Sequence, residues 1–132
     1  LRFEKDEAAE LCTAVPSTGL IDVDRRSKNP MVGKTLPLSH ELFDFAETIF
    51  DVLESRQVTL SKKGEDNGVR LSFEGFPYLI VWSKSEGDFV AVEPWGGLST
   101  CSHEDDVLEH KRGCLIAKPK ETIVRSFTIE IL

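Results

Sequence analysis

Alternation of apolar and polar side chains dominates the second half of the chain. Val69–Glu74 alternates without interruption, and the final stretch from Thr122 to Leu132 alternates again, most regularly from Phe127 to Ile131. This period of two is typical of strands that bury one face. Tyr78–Ser83 is instead a continuous apolar run, which predicts a strand covered on both faces. The polar segment 62–68 predicts a turn that joins Gln57–Ser61 to Val69–Glu74 as a hairpin.

Other short segments extend this pattern to the rest of the chain. Leu1–Glu4, Leu20–Asp24 and Phe89–Glu93 are further predicted strands, and turn-forming Pro, Gly and Asn residues separate several of the segments. Ser39–Arg56 is the one predicted helix, because its apolar residues recur at the spacing of one helix face. Several short strands without a βαβ rhythm predict an all-β chain, an antiparallel β-sandwich with one short helix.

Charge and cysteine content narrow the class of protein. Acidic residues outnumber basic ones, and the formal net charge of the 132 residues is −7. Since there is no Lys/Arg stripe, binding to nucleic acid or to an anionic membrane is not expected. Three cysteines, no signal peptide and no long apolar run predict a cytoplasmic protein without a disulfide framework. The chain begins with Leu1 inside a predicted strand, so we expect that an upstream part is not included.

Glu93 is the first candidate for chemistry. It ends the apolar strand that begins at Phe89, and Pro94-Trp95-Gly96-Gly97 follows it. A carboxylate at the mouth of a buried strand, beside an aromatic ring, suits acid–base chemistry. Trp95 could present its ring to the C–H groups of a sugar, and the two glycines would let the backbone approach a ligand closely. The alternative is structural: a strand ends in a polar residue and a Pro-Gly turn follows.

A second group of residues raises a zinc hypothesis for a small interaction module. Cys101, His103, His110 and Cys114 fall within fourteen residues, and these side chains are common zinc ligands. Their spacings match no common zinc finger or knuckle, and the acidic residues between them are typical of a solvated loop. No metal and no other cofactor is therefore predicted.

An ordered set of motifs resembles one enzyme family. The motifs are Leu36–Phe43, Ser55–Leu60, Phe76–Leu79 with Trp82–Lys84, Phe89–Gly97 and Leu108–Gly113. Together they are similar to the C-terminal part of the aldose 1-epimerase (galactose mutarotase) family, and most of all to its bacterial LacX-like branch. The resemblance implies that residues 1–132 are the C-terminal part of one β-supersandwich domain whose N-terminal part is absent.

The resemblance also implies an activity. Members of that family interconvert the α and β anomers of an aldose and need no cofactor. Glu93 matches the family's base, which takes the proton from the anomeric hydroxyl, whereas the histidine acid of the family lies upstream of this chain. The predicted function is therefore that of an aldose 1-epimerase-like isomerase in the intact protein, with this fragment inactive alone.

Trp95 and His40 are the predicted substrate-binding residues, although a lone histidine is more often a packed or capped residue. Ala46 and Thr100 stand where the LacX-like branch has aspartates, which leaves open a non-catalytic carbohydrate-binding or sugar-sensing domain of the same fold. The expected ligand is an aldose or a sugar phosphate. Half a supersandwich exposes sheet faces, so we expect a homo-oligomer or pairing with the missing N-terminal half.

Overall fold

The computed structural model describes residues 1–84 and 86–132, and in these residues the backbone forms nine β-strands. In chain order they are β1 (Arg2–Phe3), β2 (Leu11–Ala14), β3 (Ile21–Ser27), β4 (Thr48–Phe50), β5 (Gln57–Ser61), β6 (Gly68–Ser72), β7 (Tyr78–Trp82), β8 (Ala91–Trp95) and β9 (Thr128–Ile131). The helical elements among these residues are two short 3₁₀ turns, His40–Phe43 and Leu108–His110. Neither turn has the length needed to cross a membrane.

The strands form two antiparallel sheets. One sheet has four strands in the order β1-β5-β6-β9, and the other has five in the order β3-β2-β4-β7-β8. The predicted hairpin is present as β5–β6, in which Gln57 pairs with Ser72 and Ser61 with Gly68. This architecture confirms the predicted all-β antiparallel sandwich.

The larger hydrophobic cluster lies between the two sheets. Phe3, Val58 and Leu71 reach it from the four-stranded sheet, and Phe50 and Leu79 reach it from the five-stranded sheet. The rings of Phe3 and Phe50 are 4.9 Å apart between centroids. Because burying each such side chain contributes about 1.5–3 kcal/mol, this cluster is the main apolar contact that joins the sheets.

A second cluster covers the outer face of the five-stranded sheet, which is the face turned away from the four-stranded sheet. Ile49 and Ile80 lie on this face, and Leu98 and Cys101 pack against them. Both covering residues belong to residues 96–114, which we call the covering segment. The strand predicted over Tyr78–Ser83 is thus buried on both sides, as its continuous apolar run indicated.

The predicted helix over Ser39–Arg56 is wrong beyond its first turn. The helical part is the 3₁₀ turn His40–Phe43, and strand β4 (Thr48–Phe50) lies in the middle of the predicted helix. Ile49 belongs to the outer cluster and Phe50 to the cluster between the sheets. Two consecutive residues of β4 are therefore buried on opposite faces of the sheet. A short 3₁₀ turn followed by such a strand gives apolar residues at spacings that resemble those of one helix face.

Other differences concern strand bounds. β9 occupies only the later part of the alternating stretch Thr122–Leu132. β2 was not predicted, and β8 begins at Ala91 and extends to Trp95, two residues beyond the predicted end at Glu93. Glu93 therefore lies within a strand and not at its end. Pro94 is tolerated inside β8 because β8 is an edge strand of its sheet.

Candidate active site on the outer face

Strand β8 places Glu93 and Trp95 together on the outer face. Successive side chains of a strand alternate between faces, and Val92 and Pro94 line the space between the two sheets. Nε1 of the Trp95 indole donates a hydrogen bond of 2.9 Å to Oε2 of Glu93. Both side chains are half-buried. The structure thus brings two of the predicted site residues together, and the indole of Trp95 holds the Glu93 carboxylate through this hydrogen bond.

The turn after β8 packs closely against the end of the covering segment. Leu98 N donates a hydrogen bond of 3.3 Å to the carbonyl of Arg112. A Cβ at Gly113 would lie 2.8 Å from the ring of Tyr78 and 3.0 Å from the Cα of Gly97. The φ of Gly113 is 76°, in the left-handed region that favours glycine. The close backbone approach predicted for Gly97 is therefore made to residues 112–113 of the same chain.

A row of paired residues crosses the outer face from Glu93. Glu93 pairs with Ile80, Ile80 with Ile49, Ile49 with Cys12, and Cys12 with Arg26. Neighbouring strands lie about 4.8 Å apart, so four strand spacings bring the row to roughly 19 Å. The middle of the row is apolar, and the charged side chains stand at its two ends.

Beside this row lies a buried carboxylate that two arginines bind. Asp51 directly follows β4, and its side chain is 0% exposed. Nη1 of Arg26 donates to its Oδ1 over 2.6 Å, and Nη2 of Arg112 donates to its Oδ2 over 3.1 Å. Cζ of Arg112 lies 6.0 Å from the centroid of the Tyr78 ring, which is within cation–π range. Asp51 therefore ties the covering segment to the sheet.

The pKa values in this cluster follow from burial and from the guanidinium groups. Burial alone raises the pKa of Asp51, but the hydrogen bond and charge of Arg26 and the charge of Arg112 outweigh it, so that pKa is lowered. The hydrogen bond to Asp51 raises the pKa of Arg26. Burial, together with the charge of Asp51, raises the pKa of the Cys12 thiol to about 12. At neutral pH, Asp51 is ionised and Cys12 is protonated.

His40 lies apart from this face. Its exposed side chain lines an open cavity of about 610 Å³, and neither Glu93 nor Trp95 lines that cavity. Leu60 and Val90 line it too, and both also line the space between the sheets. The cavity therefore opens toward the inner side of the five-stranded sheet. The structure does not bring His40 together with Glu93 and Trp95, and its predicted contact with a substrate stays a prediction.

The two positions that depart from the family pattern both adjoin the outer cluster. Ala46 packs against that cluster, as Trp95 does. Thr100 belongs to the covering segment, and its Oγ1 accepts a hydrogen bond of 3.1 Å from Nζ of Lys111. An uncharged side chain thus occupies each of the two positions.

The structure gives no support to the zinc alternative. Within residues 1–84 and 86–132, no group of three or more His, Cys, Asp or Glu side chains could hold a metal ion. Cys101 belongs to the covering segment and is buried in the outer cluster, and burial with the nearby Glu104 raises the pKa of its thiol. Nδ1 of His110 lies 2.7 Å from a carboxylate oxygen of Asp105 at the surface. His103 is exposed, as a solvated loop predicts.

The arginine pair around Asp51 is a feature that the sequence motifs did not indicate. Arg26 and Arg112 are separated from Asp51 by 25 and 61 positions, so no local spacing connects them. The sequence did contain one signal. Asp51 directly follows the buried strand β4, just as Glu93 was predicted to end an apolar strand. The incorrect helix concealed that signal, because it made Asp51 one more polar residue on an exposed helix face.

Comparisons with known proteins identify relatives by sequence and a similar solved structure. No model of a protein family matches the chain. The chromosomal LacX protein of Lactococcus lactis subsp. lactis is 38% identical over 133 aligned residues, and the plasmid LacX protein of the same organism is 37% identical. Each alignment covers 100% of this chain and 44% of the relative. The chain therefore spans less than half the length of the curated relatives it matches.

A solved structure agrees with these sequence matches. A galactose mutarotase-like protein from Lactobacillus casei ATCC 334 has a TM-score of 0.62 and 28% sequence identity to this chain. The match covers 74% of this chain and 34% of that protein. Sequence identity and a shared β-sandwich fold thus agree that the chain belongs to the LacX-like branch of the galactose mutarotase-like family, whose C-terminal part it represents.

Proposed function

We propose that this chain supplies the catalytic base of an aldose 1-epimerase, an isomerase that interconverts the α and β anomers of a sugar. The observation that supports this best is the half-buried Glu93 carboxylate, which Trp95 anchors through Oε2. Within the described residues, the other oxygen, Oε1, accepts no hydrogen bond from the protein. A carboxylate with one fixed oxygen and one unengaged oxygen suits proton transfer, because its orientation is set before the substrate binds.

The proposed reaction needs a base at the anomeric hydroxyl and an acid at the ring oxygen. Glu93 takes the hydroxyl proton while the acid protonates the ring oxygen and the bond from that oxygen to C1 breaks. The open aldehyde turns about its C1–C2 bond, the ring closes on the other face, and both protons return. By resemblance, the acid is a histidine outside these residues, so we assign to this chain one of the two catalytic groups.

Trp95 has two roles in this proposal. Its N–H orients Glu93, and its ring packs against the outer cluster while staying half-exposed. An aromatic ring in that position offers an apolar surface to the C–H groups of a pyranose. Trp95 is therefore both a positioning residue for the base and a substrate contact.

We also propose that residues 1–132 form the C-terminal part of one domain, and that the N-terminal part of the family fold or a second copy covers its apolar surface. A cavity of about 350 Å³ between the sheets is lined by apolar side chains, among them Val69, Val92 and Phe127. On β9, Ile129 and Ile131 are 59% and 78% exposed. Such surface on a sheet is typically covered in an assembled protein.

The second candidate function is a non-catalytic carbohydrate-binding or sugar-sensing domain. Ala46 and Thr100 favour it, because by resemblance the LacX-like branch has aspartates at these positions and neither residue offers a carboxylate to a sugar hydroxyl. The two functions differ in one measurable property. A binding domain takes up the sugar and leaves the rate of anomer exchange at the buffer value.

Two-dimensional NMR exchange spectroscopy of aldose anomers tests the proposal. The protein is prepared at the length of its LacX relatives, and Glu93→Gln is compared with Glu130→Gln, an exposed acid on the other sheet. Loss of a positioned base lowers the exchange rate by roughly 10²-fold or more, so we expect that loss for Glu93→Gln alone. Equal rates in the wild type and Glu93→Gln would remove Glu93 as the base. Sugar binding without accelerated exchange in the wild type would establish the binding domain instead.

A further inference from the structure

We infer that the aldose taken by this site carries an anionic group, a phosphate or a carboxylate, and that Arg112 binds this group. The inference rests on the proposed function, because it assigns a further residue to the same site. It adds what the base cannot provide, namely a group that selects among sugars. Arg112 would act as a specificity-determining residue and not as a catalytic one.

The local charge balance is the first observation that supports this assignment. Two guanidinium groups surround the single carboxylate of Asp51, so these three side chains together carry one excess positive charge. A further carboxylate near Arg112 is that of Glu104, whose Oε1 accepts from the backbone N of Arg112 over 3.5 Å and not from its guanidinium. The side chain of Asp51 is 0% exposed, whereas those of Arg26 and Arg112 are 28% and 36% exposed. The positive charge is therefore the part of the cluster that a ligand can reach. This contrasts with the chain as a whole, whose net charge is −7.

The donors that Arg112 leaves unused are the second observation. Within the described residues, its Nη2 donates to Asp51, and its Nη1 and Nε have no protein acceptor. Neither of these two nitrogens is buried without a partner. Planar guanidinium groups bind phosphate and carboxylate through just such a pair of N–H donors. The contacts with Asp51 and the ring of Tyr78 hold the guanidinium in place before a ligand arrives.

The position of Arg112 relative to Glu93 is the third observation. Arg112 lies over Tyr78, and Tyr78 pairs with Trp95 across β7 and β8. Glu93 is thus a diagonal neighbour of Tyr78, at a separation of roughly 7–8 Å. A pyranose whose C1 hydroxyl meets Glu93 can extend an anionic group on its far side toward Arg112. The turn after β8 keeps Arg112 close, because Leu98 N donates to its carbonyl over 3.3 Å.

A purely structural role for Arg112 makes different predictions. If Arg112 only fastens the covering segment to Asp51, its loss lowers stability and weakens every sugar equally. If it binds an anionic group, its loss weakens anionic sugars alone. Arg26 continues to pair with Asp51 in either case, so Arg112→Gln leaves no unpaired buried carboxylate and is expected to fold.

The test measures binding and anomer exchange for three kinds of hexose: a neutral hexose, a hexose 6-phosphate and a hexuronate. Arg112→Gln and Arg112→Lys are compared with the wild type at the length of the LacX relatives. Arg70→Gln is the matched control, because Arg70 also pairs with a carboxylate and its side chain is 32% exposed on the other sheet. Tryptophan fluorescence reports binding, and inorganic phosphate is titrated as a separate probe.

We expect Arg112→Gln to raise the Kd and KM of the anionic sugars roughly tenfold to a hundredfold, the range for lost hydrogen bonds to a charged group. The neutral hexose should change by no more than about twofold, the ordinary scatter of a surface substitution. Arg112→Lys should recover part of the loss, since it keeps the charge without the planar fork. Comparing the hexose 6-phosphate with the hexuronate identifies which anion the site prefers.

Several outcomes would overturn the inference. Equal effects of Arg112→Gln on neutral and anionic hexoses would do so, and so would a wild type without preference for the anionic sugars. Inorganic phosphate binding as tightly as the hexose 6-phosphate would show that the sugar takes no part. Failure of the proposed function is distinguishable: Glu93→Gln then leaves exchange unchanged, while Arg112-dependent binding of anionic sugars persists.

Discussion

The outer face holds two acids in opposite situations. Where the central strand β4 ends, Asp51 is fully buried and each of its oxygens accepts a hydrogen bond from a guanidinium. At the β8 edge, Glu93 is half-buried and one of its oxygens accepts a hydrogen bond from an indole. Asp51 is 0% exposed and both of its oxygens are held by guanidinium groups, so it acts as a structural tie that a substrate does not reach. The comparison teaches that the proposed base differs from the structural acid in two respects, its partial exposure and its oxygen without a hydrogen bond from the described residues.

Replacing Asp51 and Glu93 in turn by their amides should separate the structural acid from the proposed base most strongly. Asp51→Asn removes the charge that two arginines share, and we expect a loss of about 3 kcal/mol in the free energy of unfolding, the lower end for a broken buried ion pair. Partial exposure of both arginines keeps the loss from being larger. Glu93→Gln should cost less than about 1 kcal/mol, because the amide oxygen can still accept from Trp95. Urea denaturation measures both, and equal losses would make Glu93 a structural acid too.

A methyl group at Gly113 should disturb the packing of the covering segment, which carries Arg112, against β7 and the turn after β8, without altering any charge. Gly113→Ala introduces a Cβ at 2.8 Å from the Tyr78 ring and forces alanine into a left-handed conformation. We expect a loss of about 2 kcal/mol from these two sources. Gly96→Ala is the matched control, since a Cβ there meets nothing within 4 Å. Thermal unfolding compares the two variants, and equal stability would show that the covering segment is not tightly held against Tyr78.

Mild acid should change the free energy of unfolding least among these tests, and it should act through the carboxyl group of Asp51. The pKa of Asp51 is lowered in the folded chain, so its contribution to stability is present above its unfolded pKa and is lost as pH falls through the folded pKa. At pH 4, protonation of the unfolded carboxyl removes roughly 0.3 kcal/mol, for an unfolded pKa of 3.9. The stability difference between wild type and Asp51→Asn should narrow by that amount between pH 7 and pH 4. A difference that widens would reverse the sign of this linkage.

Local patterns sufficed for the strands whose neighbours in the sheet are also neighbours in the chain. The hairpin of Gln57–Ser61 and the strand after it follows from alternation and a polar turn, and the structure has that pairing. Strands β7 and β8 were also predicted as segments, although their pairing was not. In each case the apolar period and the turn residues are within about ten positions of one another, so the sequence carries the signal directly.

Long-range contacts could not be predicted in this way. β4 has three residues, too few to show a period, and its partners β2 and β7 are brought to it by the whole fold. Asp51 depends on Arg26 and Arg112, which reach it from β3 and from the covering segment. Glu93 and Trp95 were singled out by residue type and by the family resemblance, and their placement on one face follows from β8 extending to Trp95, which the sequence did not predict.

The hydrogen bond between Trp95 and Glu93 is encoded within three consecutive residues of one strand. The indole that makes this bond also packs against the outer cluster, whose members come from several strands and from the covering segment. A substitution in that cluster that shifts the indole would therefore turn the Glu93 carboxylate as well. The orientation of the proposed base is thus coupled to the packing of the whole outer face.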